Sequence, residues 1–346
     1  QEIAEQAERS SPHGGKMLKE VIDERQARTA CTASELAPHY ASLSSAPDES
    51  PRAAAVRSEA IAIETLEGIG QPSDLCDSDI RVEEVQAAMK QLRRGKAVGA
   101  DGVSNELMIA GGTTFATAAT RLFNTVWRSS RFADEALLAI VRPLLKKRGN
   151  ANKVEDTRPI SLTSCLRKLF ERVVHARITR IAEQRGLLHD EQSGFRRLRR
   201  IEDNLFTLSV LLDTRQRNQT FVAFLDIKKA YDTVWREALL TRLHRQGIRG
   251  RLWMLIRAMY RQVASVVRTD TDEAWFETET GLKQGSVLSP MLFNLLIDEL
   301  IEHLNQTGLG VKLGDRKLAC LLFADDVLLI ADSAEELQQL LDVAAQ

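Results

Sequence analysis

Two adjacent aspartates, Asp325 and Asp326, interrupt an apolar stretch that runs from Leu321 to Ile330. An unpaired carboxylate is costly to bury, so charges in such a stretch need either solvent or a strong partner. The pair is consistent with the polar tip of a hairpin and equally with one half of a metal site. These two residues alone favour neither interpretation.

A third aspartate ends another predicted strand. The β-branched and aromatic residues from Thr220 to Asp226 predict a strand that finishes on a carboxylate. If this strand neighbours the one that contains Asp325, the three carboxylates meet at one end of a sheet. Such oxygen ligands suit Mg²⁺, which keeps open positions for phosphate, and two ions about 4 Å apart can clamp a phosphoryl displacement. The pattern therefore favours metal-dependent phosphoryl transfer.

The elements that must position these aspartates are helices alternating with antiparallel strands, which predict an α+β fold. Helices are predicted from near Ser78, over 115–127 and 161–183, and from Ser289-Pro290, a favoured helix start. Strands are predicted over 138–145, over 263–268 and 274–279 as a hairpin, and over 318–323 and 327–331 around Ala324-Asp325-Asp326. The 161–183 helix is amphipathic, and its polar face carries Arg167, Lys168, Arg172, Arg177 and Arg180.

Charge is unevenly distributed along the chain, although the net charge of the 346 residues is -1. Residues 1–80 carry 7 Lys/Arg against 15 Asp/Glu, whereas residues 141–215 carry 17 against 9. The basic segment is either a footprint for phosphates or a solvated helix face. The four cysteines follow no metal-ligand or disulfide spacing, and no stretch is apolar enough to span a membrane. These features predict an intracellular protein without a secretion signal.

Several segments, in order along the chain, resemble motifs of the reverse transcriptases of non-LTR (LINE-like) retrotransposons. Phe323-Ala-Asp-Asp326 resembles their catalytic box, and the spacing of Asp226 and Tyr231 is similar to that of their first catalytic motif. The other matching segments are residues 95–102, 158–162, 192–196 and 281–290. In the first of these, Val98 and Ala100 replace two prolines of the family pattern. The resemblance covers roughly residues 80–345.

The resemblance implies a role for each matching residue. Asp226, Asp325 and the backbone of Ile227 would hold two Mg²⁺ ions, for which Mn²⁺ can substitute, and Asp326 would support them as the third catalytic carboxylate. Tyr231 would lie under the sugar and exclude a ribose 2′-hydroxyl. The residues implied in nucleotide binding are Lys146 (with Lys147 as its alternative), Arg158, Lys228, Tyr231, Gln284 and Gly285. Those implied in contacts with template phosphates are Arg196, Arg197, Arg199 and Arg200.

The resemblance also implies a right-hand polymerase fold that lacks its thumb. Residues 80–219 would form helical, basic fingers, and residues 220–346 a palm with an antiparallel sheet backed by helices. Outside the resemblance, the composition of residues 1–79 predicts an acidic lead-in that is weakly ordered or helical. The implied partners are an RNA template, a DNA primer and dNTPs, together with endonuclease and thumb regions of a longer polyprotein. The implied location is the nucleus, with no membrane association.

Simpler interpretations stay open for several residues. Tyr231 can be an ordinary buried aromatic, Gly285 a plain turn residue, and the basic loop of residues 146–148 a solvated one. Asp232 is expected outside the metal site, as the N-cap of a helix from Thr233 to Leu243. The alternative functions are an inactive remnant or domesticated RNA-binding fragment, a group II intron-like reverse transcriptase, and an RNA-directed RNA polymerase. The bulk of Tyr231 argues against the last of these.

Overall fold

The computed structural model describes residues 29–44, 50–67, 77–99, 101–146, 149–215, 218–261, 264–283 and 285–345. Helices accompany both mixed and antiparallel sheets, so the predicted α+β class is confirmed. The chain divides into two compact units: unit 1 comprises Gln1–Arg177 and Tyr231–Ser289, and unit 2 comprises Ile178–Ala230 and Pro290–Gln346. The division into lead-in, fingers and palm stays a prediction.

The helices in the described ranges are α1 (Ala33–Ser42), α2 (Pro51–Glu67), α3 (Val82–Met89), α4 (Asn105–Ser129), α5 (Asp134–Leu137), α6 (Cys165–Arg185), α7 (Ile201–Thr214), α8 (Arg236–Arg245), α9 (Gly250–Tyr260), α10 (Ser289–Gln306) and α11 (Ala334–Ala345). The strands are β1 (Ala139–Leu145), β2 (Thr157–Leu162), β3 (Phe221–Asp226), β4 (Ala264–Arg268), β5 (Glu273–Glu277), β6 (Val311–Leu313), β7 (Arg316–Leu318), β8 (Cys320–Phe323) and β9 (Asp326–Ala331). None of these helices is both long and apolar enough to cross a membrane.

Unit 1 contains a four-stranded sheet in the order β2-β1-β4-β5. β4 and β5 form the predicted antiparallel hairpin, and β1 pairs antiparallel with β2. β1 and β4 run parallel, which the prediction of antiparallel strands missed, because parallel pairing joins segments that are distant in sequence. Leu36 and Tyr40 of α1 cover part of this sheet and pack in one core with Val141 and Val267.

Unit 2 contains the predicted antiparallel sheet, three strands in the order β3-β9-β8. One face carries Leu322, Val327 and Leu329, which pack with α10 and α11. The other face carries Leu328 and Ile330, which pack with α7 and with the β6–β7 hairpin. The alternation of side chains along each strand thus buries both faces of β9, and this fixes its register.

Helix α6 differs from its prediction in two ways. It begins at Cys165 and not at Ser161, because β2 continues to Leu162 and pairs there with Ile140 of β1. The expected basic face is also partly buried. The side chain of Arg167 is 1% exposed and that of Arg177 is 4% exposed, since Glu171 and Glu84 respectively form ion pairs with them. These two arginines therefore hold the fold together and are not solvated.

The prediction that Asp232 caps a helix from Thr233 is wrong. Helix α8 begins at Arg236, with Trp235 as its N-cap residue. The chain before it is held in a non-helical conformation, because the Asp232 carbonyl accepts a hydrogen bond from Thr280 Oγ1 (3.1 Å) and the Val234 carbonyl accepts one from the Gly281 N–H (2.8 Å). These tertiary bonds take the place of the helical ones that the sequence favoured.

Candidate active site

Three aspartates lie at one end of the sheet in unit 2. Asp226 of β3 is directly opposite Asp326 of β9, and Phe323 of β8 also pairs with Asp326. Residues opposed in this way have Cα atoms about 5 Å apart. Asp325 follows Ala324 in the tight turn between β8 and β9. The hairpin-tip interpretation of Asp325 and Asp326 is therefore correct, and it is compatible with the expected approach of Asp226.

The carboxylates are accessible while the backbone that carries them is anchored. Asp226 and Asp326 are exposed and Asp325 is half-buried. Ile227 packs against the core that α10 and α11 form. Hard oxygen donors open to solvent fit a cation such as Mg²⁺. Within the described ranges, no three His, Cys, Asp or Glu side chains already converge on a point that could hold a metal ion, so the ligand set stays a prediction.

In unit 1, the 281–288 loop carries two of the residues predicted to bind nucleotide, Gln284 and Gly285. The Leu282 N–H donates to the Tyr231 carbonyl (2.7 Å), which ties the loop to the half-buried Tyr231. Gly285 has φ 107°, and a Cβ there would lie 2.8 Å from the Ser161 carbonyl oxygen of β2. A side chain is thus excluded by conformation and by space. Gln284 lies outside the described residues, and the nucleotide contacts stay predictions.

The buried carboxylate of Glu171 binds the C-terminal part of this 281–288 loop. Glu171 of α6 is 0% exposed, and its Oε2 accepts hydrogen bonds from Ser286 Oγ and from the Val287 N–H, both at 2.8 Å. Its Oε1 accepts from Arg167 Nε at 2.8 Å. The sequence showed Arg167 only as part of a basic helix face and gave Glu171 no role. The two lie four positions apart, but Ser286 and Val287, which Glu171 also binds, lie more than a hundred positions away.

Lys283 is an unusual buried cation in the same loop. Its Nζ donates to the Leu137 carbonyl (2.6 Å). Burial, assisted by the nearby charges of Arg167 and Arg236 and opposed by that of Glu171, lowers the pKa of Lys283 from 10.5 to about 6. The Lys283 amine is therefore mostly neutral at pH 7 in the folded chain.

This lowered pKa predicts that Lys283 makes stability depend on pH. Between pH 6 and pH 10.5 the unfolded chain holds a proton that folded Lys283 has released, so the contribution of this group to stability rises with pH across that interval. We expect Lys283→Met to raise the thermal unfolding temperature most at pH 6 and to flatten its rise towards pH 9. Lys153→Met, at an exposed lysine of the same unit, is the control. Equal pH profiles for all three proteins would show that Lys283 does not titrate in this way.

The four arginines predicted to contact template phosphates, all in unit 2, differ in availability. Arg196 forms an ion pair with Glu183 (3.0 Å), and its side chain is 7% exposed. Arg199 forms one with Asp190 (2.5 Å), whereas Arg197 and Arg200 are exposed. Part of the basic charge of residues 141–215 is therefore neutralised within the chain. Contact with phosphates stays a prediction, and Arg197 and Arg200 are its best placed candidates.

The remaining predicted residues lie on the surface of their own units. Arg158 is exposed on β2, opposite Leu144, and no hydrogen bond or ion pair holds its guanidinium among the described residues. Lys146 is also exposed, and its Nζ donates to the Glu155 carbonyl (2.6 Å). Lys228 lies in the exposed turn that follows β3 in unit 2. Lys147 lies outside the described residues. Arg158 thus presents an unengaged cation suited to phosphate.

Unit 2 thus places carboxylates at adjoining strand ends, and unit 1, taken by itself, holds a glycine loop against β2. Comparison with known proteins shows the family of the chain. Residues 145–346 match the family model described as reverse transcriptase (RNA-dependent DNA polymerase). The match covers more than half of the chain, and the chain therefore belongs to this family.

Three similar curated proteins bear the names of transposable or mobile elements. The chain is 30% identical over 260 residues to the Retrovirus-related Pol polyprotein from type-1 retrotransposable element R2 of Popillia japonica, covering 72% of this chain and 34% of that protein. It is 26% identical over 276 residues to the probable RNA-directed DNA polymerase from transposon BS of Drosophila melanogaster, covering 78% and 30%. Against the RNA-directed DNA polymerase from mobile element jockey of Drosophila funebris, it is 26% identical over 275 residues, covering 76% and 29%. The chain thus spans about a third of these relatives.

Proposed function

We propose that this chain is the catalytic part of a non-LTR retrotransposon reverse transcriptase, which copies an RNA template by adding deoxynucleotides to a primer 3′-hydroxyl. The observation that carries the proposal is the placement of Asp226 opposite Asp326, with Asp325 in the adjoining turn. Family membership gives this end of the sheet its chemical context. Unit 2 would then supply the palm sheet, and residues 80–219 the fingers.

The proposed centre uses Asp226, Asp325 and the Ile227 carbonyl to hold divalent cations, with Asp326 in support. Bound Mg²⁺ supplies charge that activates the primer hydroxyl and neutralises the leaving pyrophosphate. Arg158 and Lys146 would bind the triphosphate, and exposed Arg197 and Arg200 the template backbone, where such contacts position without specifying sequence. We also propose action inside the cell, in the nucleus, within a longer polyprotein that supplies the endonuclease and thumb.

Primer extension by the full-length protein tests the proposal. An RNA template annealed to a DNA primer should be copied with dNTPs and Mg²⁺, and the product should be absent when the Mg²⁺ is chelated. Protein that binds this RNA–DNA duplex without extending the primer would support the inactive-remnant alternative instead. Preferential use of rNTPs would favour an RNA-directed RNA polymerase.

Sugar selectivity tests the role of Tyr231. If its ring lies under the sugar, replacement by Ala opens room for a 2′-hydroxyl, and we expect Tyr231→Ala to raise the ratio of rNTP to dNTP incorporation by about tenfold or more. Competition between rATP and dATP in single-nucleotide extension measures this ratio. Tyr40→Ala, which removes a buried tyrosine of the same unit, controls for a general loss of stability. A ratio equal to that of the parent would leave Tyr231 as an ordinary core aromatic.

A further inference from the structure

The residue immediately before Asp325 has an unfavourable backbone conformation. Ala324 has φ 60°, in the left-handed region, and is 4% exposed. In this conformation the Cβ of a residue other than glycine comes too close to the following carbonyl oxygen, so the backbone of Ala324 is strained. The turn that presents Asp325 and Asp326 therefore needs contacts that hold it, and its buried backbone groups need partners.

One side chain supplies both partners. Gln192 is 0% exposed, and its Oε1 accepts a hydrogen bond from the Ala324 N–H at 2.9 Å. Its Nε2 donates to the Ala324 carbonyl at 3.2 Å. The Oε1 also accepts from the Gly194 N–H at 2.8 Å. The amide of Gln192 thus binds both polar backbone groups of the strained residue, as a neighbouring strand would.

The segment that carries Gln192 is itself fixed to the catalytic hairpin. The Leu322 N–H donates to the Glu191 carbonyl (2.8 Å), and the Ser193 N–H donates to the Leu322 carbonyl (3.0 Å). Gly194 packs so closely that a Cβ there would overlap the backbone of Ala324. The buried Asn294 of α10 donates to the Gly194 carbonyl from Nδ2 at 2.6 Å. All these residues belong to unit 2.

We propose that Gln192 is a positioning residue of the metal centre: its amide holds the Ala324 turn in the conformation that directs Asp325 and Asp326 towards the divalent cations. This inference rests on the proposed function. It assigns a task to the glutamine of the 192–196 segment that is distinct from contact with nucleic acid. Because the side chain is sealed beneath the turn, it acts on the reaction only through the aspartates.

The test compares the parent and Gln192→Met in the full-length protein. Methionine has a similar length but cannot bond the Ala324 backbone. We expect the Ala324 amide to exchange its hydrogen at least about tenfold faster, and Mn²⁺ binding, followed by electron paramagnetic resonance without nucleotide, to weaken at least about fivefold. In primer extension kcat should fall about tenfold or more, whereas the KM for dNTP should change less than about threefold. The first two measurements do not need polymerase activity, so they separate this inference from the proposed function.

Asn204→Leu is the matched control. Asn204 Nδ2 donates to the Leu322 carbonyl (3.0 Å), so this amide bonds the same hairpin away from its turn. We expect Asn204→Leu to lower the unfolding temperature about as much as Gln192→Met does. Its Mn²⁺ affinity and kcat should nevertheless stay within about twofold of the parent. If Gln192→Met does not fold, Gln192→Asn is measured instead, since its amide is one methylene too short to reach both groups. Parent-like Mn²⁺ affinity in the folded Gln192 variant, or equal losses in the Asn204 control, would overturn the proposal.

Discussion

Asp325→Asn is expected to reduce primer extension by about a hundredfold or more while leaving the fold intact. The substitution removes the negative charge that a divalent cation needs but keeps the size of the side chain. No hydrogen bond or ion pair to the Asp325 side chain exists among the described residues, so the structural effect should be within about 0.5 kcal/mol. Single-nucleotide extension and thermal unfolding measure the two effects separately.

A second hairpin of unit 2 has a turn of the same length and provides the control. Asp315 lies in the turn between β6 and β7, where Leu313 pairs with Arg316, just as Asp325 lies in the turn where Phe323 pairs with Asp326. Asp315→Asn therefore removes a carboxylate from a comparable hairpin tip of the same unit. It should extend primers at the parental rate. An Asp325→Asn protein that matches the parent would show that the hairpin is a polar tip and no more.

Gly285→Ala is expected to lower kcat/KM for dNTP by about tenfold or more. Two effects combine in this variant. The left-handed φ of 107° disfavours any Cβ, and the added methyl would lie 2.8 Å from the Ser161 carbonyl oxygen. Relief of this overlap must move the 281–288 loop away from β2. If the loop binds the incoming nucleotide, that movement displaces the contact. Steady-state kinetics with varied dNTP concentration measure the effect.

Gly102→Ala is the control that separates the effect of backbone conformation from the effect of the steric overlap at Gly285. Gly102 has φ 66°, and a Cβ there would meet nothing within 4 Å. The control should therefore lose stability of about 1–2 kcal/mol from backbone conformation alone and keep its kcat/KM. Identical kinetics for Gly285→Ala and the parent would show that Gly285 is a plain turn residue.

The elements that carry the aspartates could be predicted closely because their signals are local. The run of β-branched and aromatic residues before Asp226 ends where β3 ends. The start of α10 at Ser289 could be predicted from Ser289-Pro290 alone. The pairing of Asp226 with Asp326 followed once both strands were placed in one sheet. The resemblance to family motifs then favoured a metal site over a polar hairpin tip as the role of these aspartates.

What escaped prediction depends on contacts between distant segments. Arg177 looked like a solvated residue because its partner, Glu84, lies in another helix. Arg167 pairs with Glu171 in its own helix, but that pair is buried by the distant 281–288 loop, whose Ser286 and Val287 bind Glu171. Asp232 had the residue type of a helix cap, but its carbonyl accepts a hydrogen bond from Thr280 Oγ1, and the chain there forms a turn ahead of α8. Gln192 was recognised by its motif, although the direction of its amide towards Ala324 is a property of the folded chain.

Localised cleavage by Fe²⁺ tests most directly whether the ends of β3 and of the β8–β9 hairpin share one metal centre. Fe²⁺ bound in place of Mg²⁺ generates hydroxyl radicals in the presence of ascorbate and peroxide, and these cut the nearest backbone. We predict cuts at 226–227 and at 323–326 in the full-length protein, suppressed by excess Mg²⁺ and lost in Asp226→Asn. Cuts confined to other segments, or unchanged in Asp226→Asn, would contradict a catalytic metal centre at these aspartates.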